Sequence, residues 1–205
     1  MKIMCVGMNY AEHNKELQNT LLSTETPVIF MKPDSAILKN GKPFFVPDFA
    51  SQFDYETEIV VRIDRMGKSI PERFARRYYG AVTVGIDFTA RDLQRQLSAK
   101  GLPWDMAKGF DGSAVLGEFV PVEEVGDVNA LTFHSELDGQ TVQTGYTGDM
   151  LWSIDRLVAY VSRTNTLKTG DLLFTGTPAG VGPVHPGQHM EAWIGERKVL
   201  SFNIR

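Results

Sequence analysis

Cysteine is almost missing from this chain: Cys5 is the one thiol in 205 residues. No intramolecular disulfide can form, which excludes the stapled secreted folds and predicts a reducing, cytoplasmic location. Cys5 lies in the apolar run 2–7 and is expected as a small buried strand residue rather than a nucleophile. Excess positive charge is missing too. The net charge is −4 and the densest basic cluster, Arg73-Phe74-Ala75-Arg76-Arg77, is short, so phosphate-driven nucleic-acid binding is excluded. No apolar run approaches the length of a membrane-spanning helix, and no signal-peptide pattern opens the chain. Repeats, low-complexity segments and linkers are absent. With 42% hydrophobic residues, the chain can bury one sizeable core, and residues 1–205 are expected to form a single domain.

What is present is mostly strand. Runs at 2–7, 26–32 and 172–174 are short and apolar, and "AVTVGID" ends at Asp87. Asn40-Gly41 in "ILKNGKPFFV" and Asp138-Gly139 between 132 and 144 predict hairpins, and 190–204 reads as a last one. "SIPERFARRYYG" predicts a helix capped by Ser69 with Pro71 in its first turn. Thr89-x-x-Asp92 resembles a capping box for a helix reaching about Lys100, before Gly101 and Pro103. Leu151, Ile154, Leu157, Val158 and Val161 repeat at a helical period, with Asp149 as the expected cap. The pattern predicts one α+β domain dominated by strands.

The stretch "FDYETEIVVRI" places two carboxylates on one face of a strand. Tyr55, Thr57, Ile59, Val61 and Ile63 share the face suited to a core; Glu56, Glu58, Val60 and Arg62 share the other. Asp87 ends the strand 82–86 and can join Glu56 and Glu58. Three carboxylates alone repel one another and raise their pKa values; a divalent cation removes that conflict. An all-oxygen set suits Mg²⁺, or Mn²⁺, better than zinc. From these residues alone a second reading stands beside it, the wet face of an antiparallel sheet. Lys108, between Trp104 and Phe110, reads as a buried cation or a surface lysine, and His13 as a surface histidine of a polar helix. The loop "TGTPAGVGPVHPG" can offer backbone N–H groups to an anion, and it lacks the Lys-Ser/Thr of a nucleotide loop. His134, His185 and His189 read as structural or surface groups.

The stretches "GMNYAEHNKEL", "DYETEIVVRI", "GIDFTARDLQ", "LPWDMAKGFD" and "GDLLFTGTPAGVGP" follow one another in that order. In this the chain resembles the fumarylacetoacetate hydrolase family. It is similar to the short single-domain branch of acylpyruvases, oxaloacetate decarboxylases and 2-hydroxyhepta-2,4-diene-1,7-dioate isomerases. The resemblance implies a mixed β-sandwich roll, usually a homodimer. It implies a metal held by Glu56, Glu58 and Asp87, a catalytic His13–Glu16 pair and an active-site Lys108, with Gln94 and Thr177 at the substrate. Met8 stands where relatives often carry Arg or Leu, at the distal end of the substrate. The implied substrates are small 2-oxo acids with a second carbonyl or carboxylate, such as acylpyruvates, fumarylpyruvate or oxaloacetate. Hydrolysis or decarboxylation comes first among the expected reactions, isomerisation of 2-hydroxy-dienedioates second. A non-catalytic metal-binding scaffold is the alternative from another class, and the joint presence of His13, Glu16 and Lys108 speaks against it.

Overall fold

A computed structural model describes residues 1–16, 26–39 and 41–205. The chain opens with β1 (Ile3–Gly7), α1 (Ala11–Glu16), β2 (Val28–Lys32) and β3 (Ile37–Lys39). Next come β4 (Phe53–Tyr55), β5 (Thr57–Ile63), β6 (Tyr79–Asp87) and β7 (Thr89–Ala90). Helices α2 (Arg91–Ala99) and α3 (Asp105–Lys108) lead to β8 (Ala114–Leu116), β9 (Val120–Pro121) and α4 (Val122–Val125). The last third holds β10 (Thr132–Leu137), β11 (Gln140–Tyr146), α5 (Ile154–Thr164), β12 (Leu172–Phe174), β13 (Gly182–Pro183), β14 (His189–Ile194) and β15 (Arg197–Asn203).

The largest sheet runs in the order β2-β1-β12-β5-β6-β8-β3, with β9 also on β6; β1–β12 and β3–β8 are its parallel pairs. A second sheet, β11-β10-β14-β15, packs on it, and β13-β4-β7 forms a short third. Apolar residues of the first two sheets, among them Ile59, Val61, Val84, Ile86, Phe133, Ala192, Leu200 and Phe202, make one core. The result is the expected strand-dominated sandwich roll.

The alternation read in β5 holds. Ile59, Val61 and Ile63 enter the main core, while Val60 joins Ile3, Cys5, Leu172 and Phe174 in a smaller one. Both faces of the strand are therefore covered, and the wet-face alternative for Glu56 and Glu58 falls: they are 6% and 2% exposed. Gly85 lies opposite Glu58 on β6. A Cβ there would meet Val60 Cγ2 at 2.7 Å and Phe174 Cε1 at 2.8 Å, so only glycine lets this layer close.

Several local expectations give way to tertiary pairing. Thr89 caps no helix; it is drawn into β7 against β4, and Asp92 accepts from the Ser51 N–H at 3.0 Å and hydroxyl at 2.6 Å. The segment after Pro71 is a 3₁₀ helix, Glu72–Tyr78, and Ser69 adopts a left-handed φ of 52° instead of capping it. Ser153, not Asp149, caps α5. Asn40 lies outside the described residues. The runs flanking it do not form a hairpin with each other: β3 pairs with β8, and Phe44 bridges Ile204. The Asp138-Gly139 hairpin is as expected, both residues having positive φ (54° and 78°) as a tight primed turn requires.

Candidate metal centre and catalytic cleft

β5 begins just after a break in the strand at Glu56, and β6 ends at Asp87, whose N–H donates to the Glu56 carbonyl at 2.8 Å. This short link brings the two strand termini together. Oxygens of Glu56, Glu58 and Asp87 then lie within 4.8 Å of one another, all three side chains buried. Asp87 Oδ1 has only a charge contact, from Lys32 Nζ at 2.7 Å, without hydrogen-bond geometry. A close, buried, all-oxygen set with an oxygen left unbonded fits a hard divalent cation.

Three cations answer these acids. Lys108 Nζ stands between Glu56 Oε2 at 2.7 Å and Asp87 Oδ2 at 3.0 Å, and 5.1 Å from the centre of the Phe30 ring. Arg91 sends Nη2 to Glu56 Oε1 at 2.5 Å, Nε to Asp54 Oδ2 at 2.8 Å and Nη1 to Gln94 Oε1 at 2.7 Å. Lys32, fully buried, reaches Asp87 Oδ1 and also bonds Ser113 Oγ at 3.0 Å, the Ser113 carbonyl at 3.2 Å and the Lys108 carbonyl. Lys32, Arg91 and Asp54 received no role from the sequence. Arg91 sits inside the quoted "GIDFTARDLQ" stretch, and a donor-only side chain four residues after Asp87 was the available signal. Lys32 offered none beyond ending an apolar strand.

The three acids are not equivalent. Burial alone would raise Glu56, but the Lys108 and Arg91 cations hold it well below the usual carboxylate range. Among the described residues Glu58 has no cation in contact; burial, then repulsion from Asp87 and Glu56, pushes it well above that range. Its one direct bond among the described residues is from the Gly176 N–H, at 2.7 Å. Lys108 is buried as well, yet Asp87 and Glu56 outweigh that and keep it raised.

The glycine-rich loop after β12 does offer N–H groups to anions, and the anions are the protein's own. Gly176 serves Glu58, and Gly180 donates to both oxygens of Glu16 at 3.1 and 3.2 Å. Both glycines have φ near +98°, and a Cβ at Gly180 would lie 2.6 Å from the Val142 carbonyl. Glu16 in turn is 3.2 Å from His13 Nδ1. A carboxylate only accepts, so Nδ1 carries the proton, and in the neutral ring Nε2 is the basic nitrogen.

His13, Glu56, Glu58, Arg91, Gln94, Lys108 and Thr177 all line one cleft of about 260 Å³, closed on other sides by Val6, Met8, Phe30 and Trp104. Asp87 lies just beneath it. The Thr177 hydroxyl is engaged: it donates to the Thr57 carbonyl at 2.9 Å and accepts from Gln143 Nε2 at 2.8 Å. Outside the cleft, His134 stacks on Trp193 at 4.7 Å and His189 bonds Asn203 and Ser201, as structural side chains do.

Residues 2–204 match the family described as fumarylacetoacetate (FAA) hydrolase, C-terminal. The chain is 39% identical over 203 residues to the mitochondrial oxaloacetate tautomerase FAHD1 of Mus musculus, spanning 99% of this chain and 91% of the mouse protein. It is 39% identical over 194 residues to the mitochondrial oxaloacetate decarboxylase of Dictyostelium discoideum, spanning 94% and 88%. Fumarylpyruvate hydrolase from Pseudomonas aeruginosa, solved with Mn²⁺ and pyruvate, superposes with a TM-score of 0.93 at 34% identity, over 100% of this chain and 89% of that one. The mitochondrial relatives overturn the cytoplasmic location predicted above. A lone thiol excludes disulfides wherever the protein resides, so cysteine count does not name the compartment. Among the described residues no helix is long and apolar enough to cross a membrane.

Proposed function

Because the chain belongs to the fumarylacetoacetate hydrolase family, we propose that it is a divalent-metal enzyme of small 2-oxo acids, with Glu56, Glu58 and Asp87 as ligands. The observation that carries this reading is the convergence of three buried carboxylates within 4.8 Å beneath a cleft that also holds the His13–Glu16 pair. Mg²⁺, or Mn²⁺ with similar ligand preferences, would supply a Lewis acid for the charge that develops on the 2-oxo oxygen.

The chain's own groups do the rest. Glu16, held by Gly180, orients the ring of His13, which lines the cleft, and leaves Nε2 as the nitrogen to act there. From there it takes a proton from the carbon beside the 2-oxo group, or from water, and returns it. Lys108 adds positive charge where the enolate forms. The Gln94 amide and the Thr177 N–H, which has no acceptor among the described residues, bind substrate oxygens. The hydroxyl of Thr177, expected as the contact, instead positions its own backbone through Thr57 and Gln143.

The first reactions to expect are enolisation and decarboxylation of oxaloacetate, as the names of the mouse and Dictyostelium relatives suggest. The Pseudomonas relative favours a second reading, hydrolysis of fumarylpyruvate or an acylpyruvate, in which His13 activates water. Residues 1–205 act as one catalytic unit in this reading, and a homodimer, checked by sedimentation, completes it. The test is a turnover screen with Mg²⁺ or Mn²⁺ against oxaloacetate, acetylpyruvate, fumarylpyruvate and a 2-hydroxy-dienedioate. At least one should react, EDTA should abolish the reaction and added metal restore it. Full activity in excess EDTA, after verified metal removal, would sink the assignment.

A further inference from the structure

Helix α2 turns Arg91, Gln94, Arg95 and Ser98 to the cleft, the i, i+3, i+4, i+7 spacing of one helix face. Each side-chain acceptor on this wall already takes one hydrogen bond from the protein. Arg91 has only donors, so the Gln94 atom 2.7 Å from it is the amide oxygen, and Nε2 with its two hydrogens remains. The Trp104 indole is likewise donor-only, and it gives its hydrogen to Ser98 Oγ at 2.8 Å, leaving the Ser98 O–H to donate. Arg95 contributes donors alone. The wall is therefore a row of three donor groups.

Charge singles out Arg95. Lys108 and Arg91 are both matched by carboxylates of the protein. Arg95 is exposed, lines the same cleft, and forms no ion pair or hydrogen bond among the described residues. Val6, Gly7, Met8 and Phe30, which also line the cleft, bring no cation. We infer that Arg95, flanked by Gln94 and Ser98, is the specificity-determining residue for a second carboxylate at the end of the substrate remote from the metal ligands. This rests on the 2-oxo acid reading above and narrows it. The chain selects dicarboxylic 2-oxo acids over acylpyruvates with neutral tails.

The matched probes are oxaloacetate and its 4-methyl ester, which share the 2-oxo end and differ in the remote charge and one methyl group. Kinetics of enolisation and calorimetric binding to the Mn²⁺-loaded protein are both measured. Wild type should favour oxaloacetate. Arg95→Gln should raise its KM and Kd about tenfold, the worth of one partly solvated charge-assisted contact. The kcat and the constants for the ester should stay unchanged. Arg95→Lys should restore part of the preference, and the preference should shrink as salt rises. Arg95 is exposed, so the variants should fold. Equal handling of the two probes by wild type, or an unchanged preference in Arg95→Gln, overturns the inference even if turnover is robust. Absence of turnover with an Arg95-dependent preference in binding leaves the inference standing and removes the reaction class. Failure of both compounds to bind removes both.

Discussion

Replacing Glu58 with glutamine should make the metal-free protein more stable. The buried cluster holds four acids, Asp54, Glu56, Glu58 and Asp87, against three cations, Lys32, Arg91 and Lys108. Every acid but Glu58 touches a cation. An uncompensated buried charge costs about 3–5 kcal/mol, and the charge-assisted bond from Gly176 offsets about 1.5–3 kcal/mol of it. Glutamine keeps an acceptor for that N–H and loses the charge. The gain should be about 1–2 kcal/mol, or roughly 2–8 °C in melting temperature for a chain of this size. The sign with pH follows from the raised pKa of Glu58. Its contribution to stability is intact below the ordinary glutamate range and is lost as pH rises through the raised folded value. The advantage of the variant should thus be absent in acid and open toward neutral pH. Mn²⁺ should reverse the order, since a ligand at 100 times its Kd stabilises by about 2.7 kcal/mol and the variant binds it weakly. Urea or thermal unfolding in EDTA and in Mn²⁺, across pH, measures all of this. A metal-free Glu58→Gln protein no more stable than wild type at neutral pH would refute the charge accounting. Glu56→Gln is the contrast: it deprives Arg91 and Lys108 of a partner and should destabilise by about 3–5 kcal/mol.

His13→Ala should leave Mn²⁺ and oxalate affinity intact and slow proton transfer by roughly 10²–10⁴, with Glu16→Gln milder; loss of metal binding in a calorimetric titration would contradict a purely acid–base His13. Lys32→Met should cost about 3–5 kcal/mol in urea unfolding, because Asp87 loses its inner cation; wild-type stability in that variant would remove Lys32 as the anchor of the site.

The acids of the candidate site were legible as a cluster because the signal is local. Glu56 and Glu58 share a strand face, and Asp87 closes an apolar run. Their counter-charges were not. Lys32 ends a strand far from Asp87 in sequence, and Arg91 meets Glu56 across 35 residues. Nothing near either residue marks it as buried, since burial of a cation is decided by where its acid arrives. The same division governs the fold. Tyr79–Asp87 and the Asp138-Gly139 hairpin follow from alternation and turn chemistry within a few residues. Thr89 and Ser69 had plausible local caps, and long-range strand pairing and helix contacts overrode them. Asp149 lost its place to Ser153 because the chain makes one more 3₁₀ turn, Thr147–Asp149, before α5 starts.

The position of β1 in the main sheet bears on how the protein is made. This first strand lies between β2 and β12, and β12 alone joins it to β5. On a ribosome adding about 5–20 residues per second, β1 therefore waits roughly 8–33 s for its parallel partner to be synthesised. Until then β1 keeps its second edge open, and β5 lacks the neighbour that covers its own. Slowing translation should lengthen that exposure and the dependence on chaperones. A circular permutant that begins at β12 should shorten it.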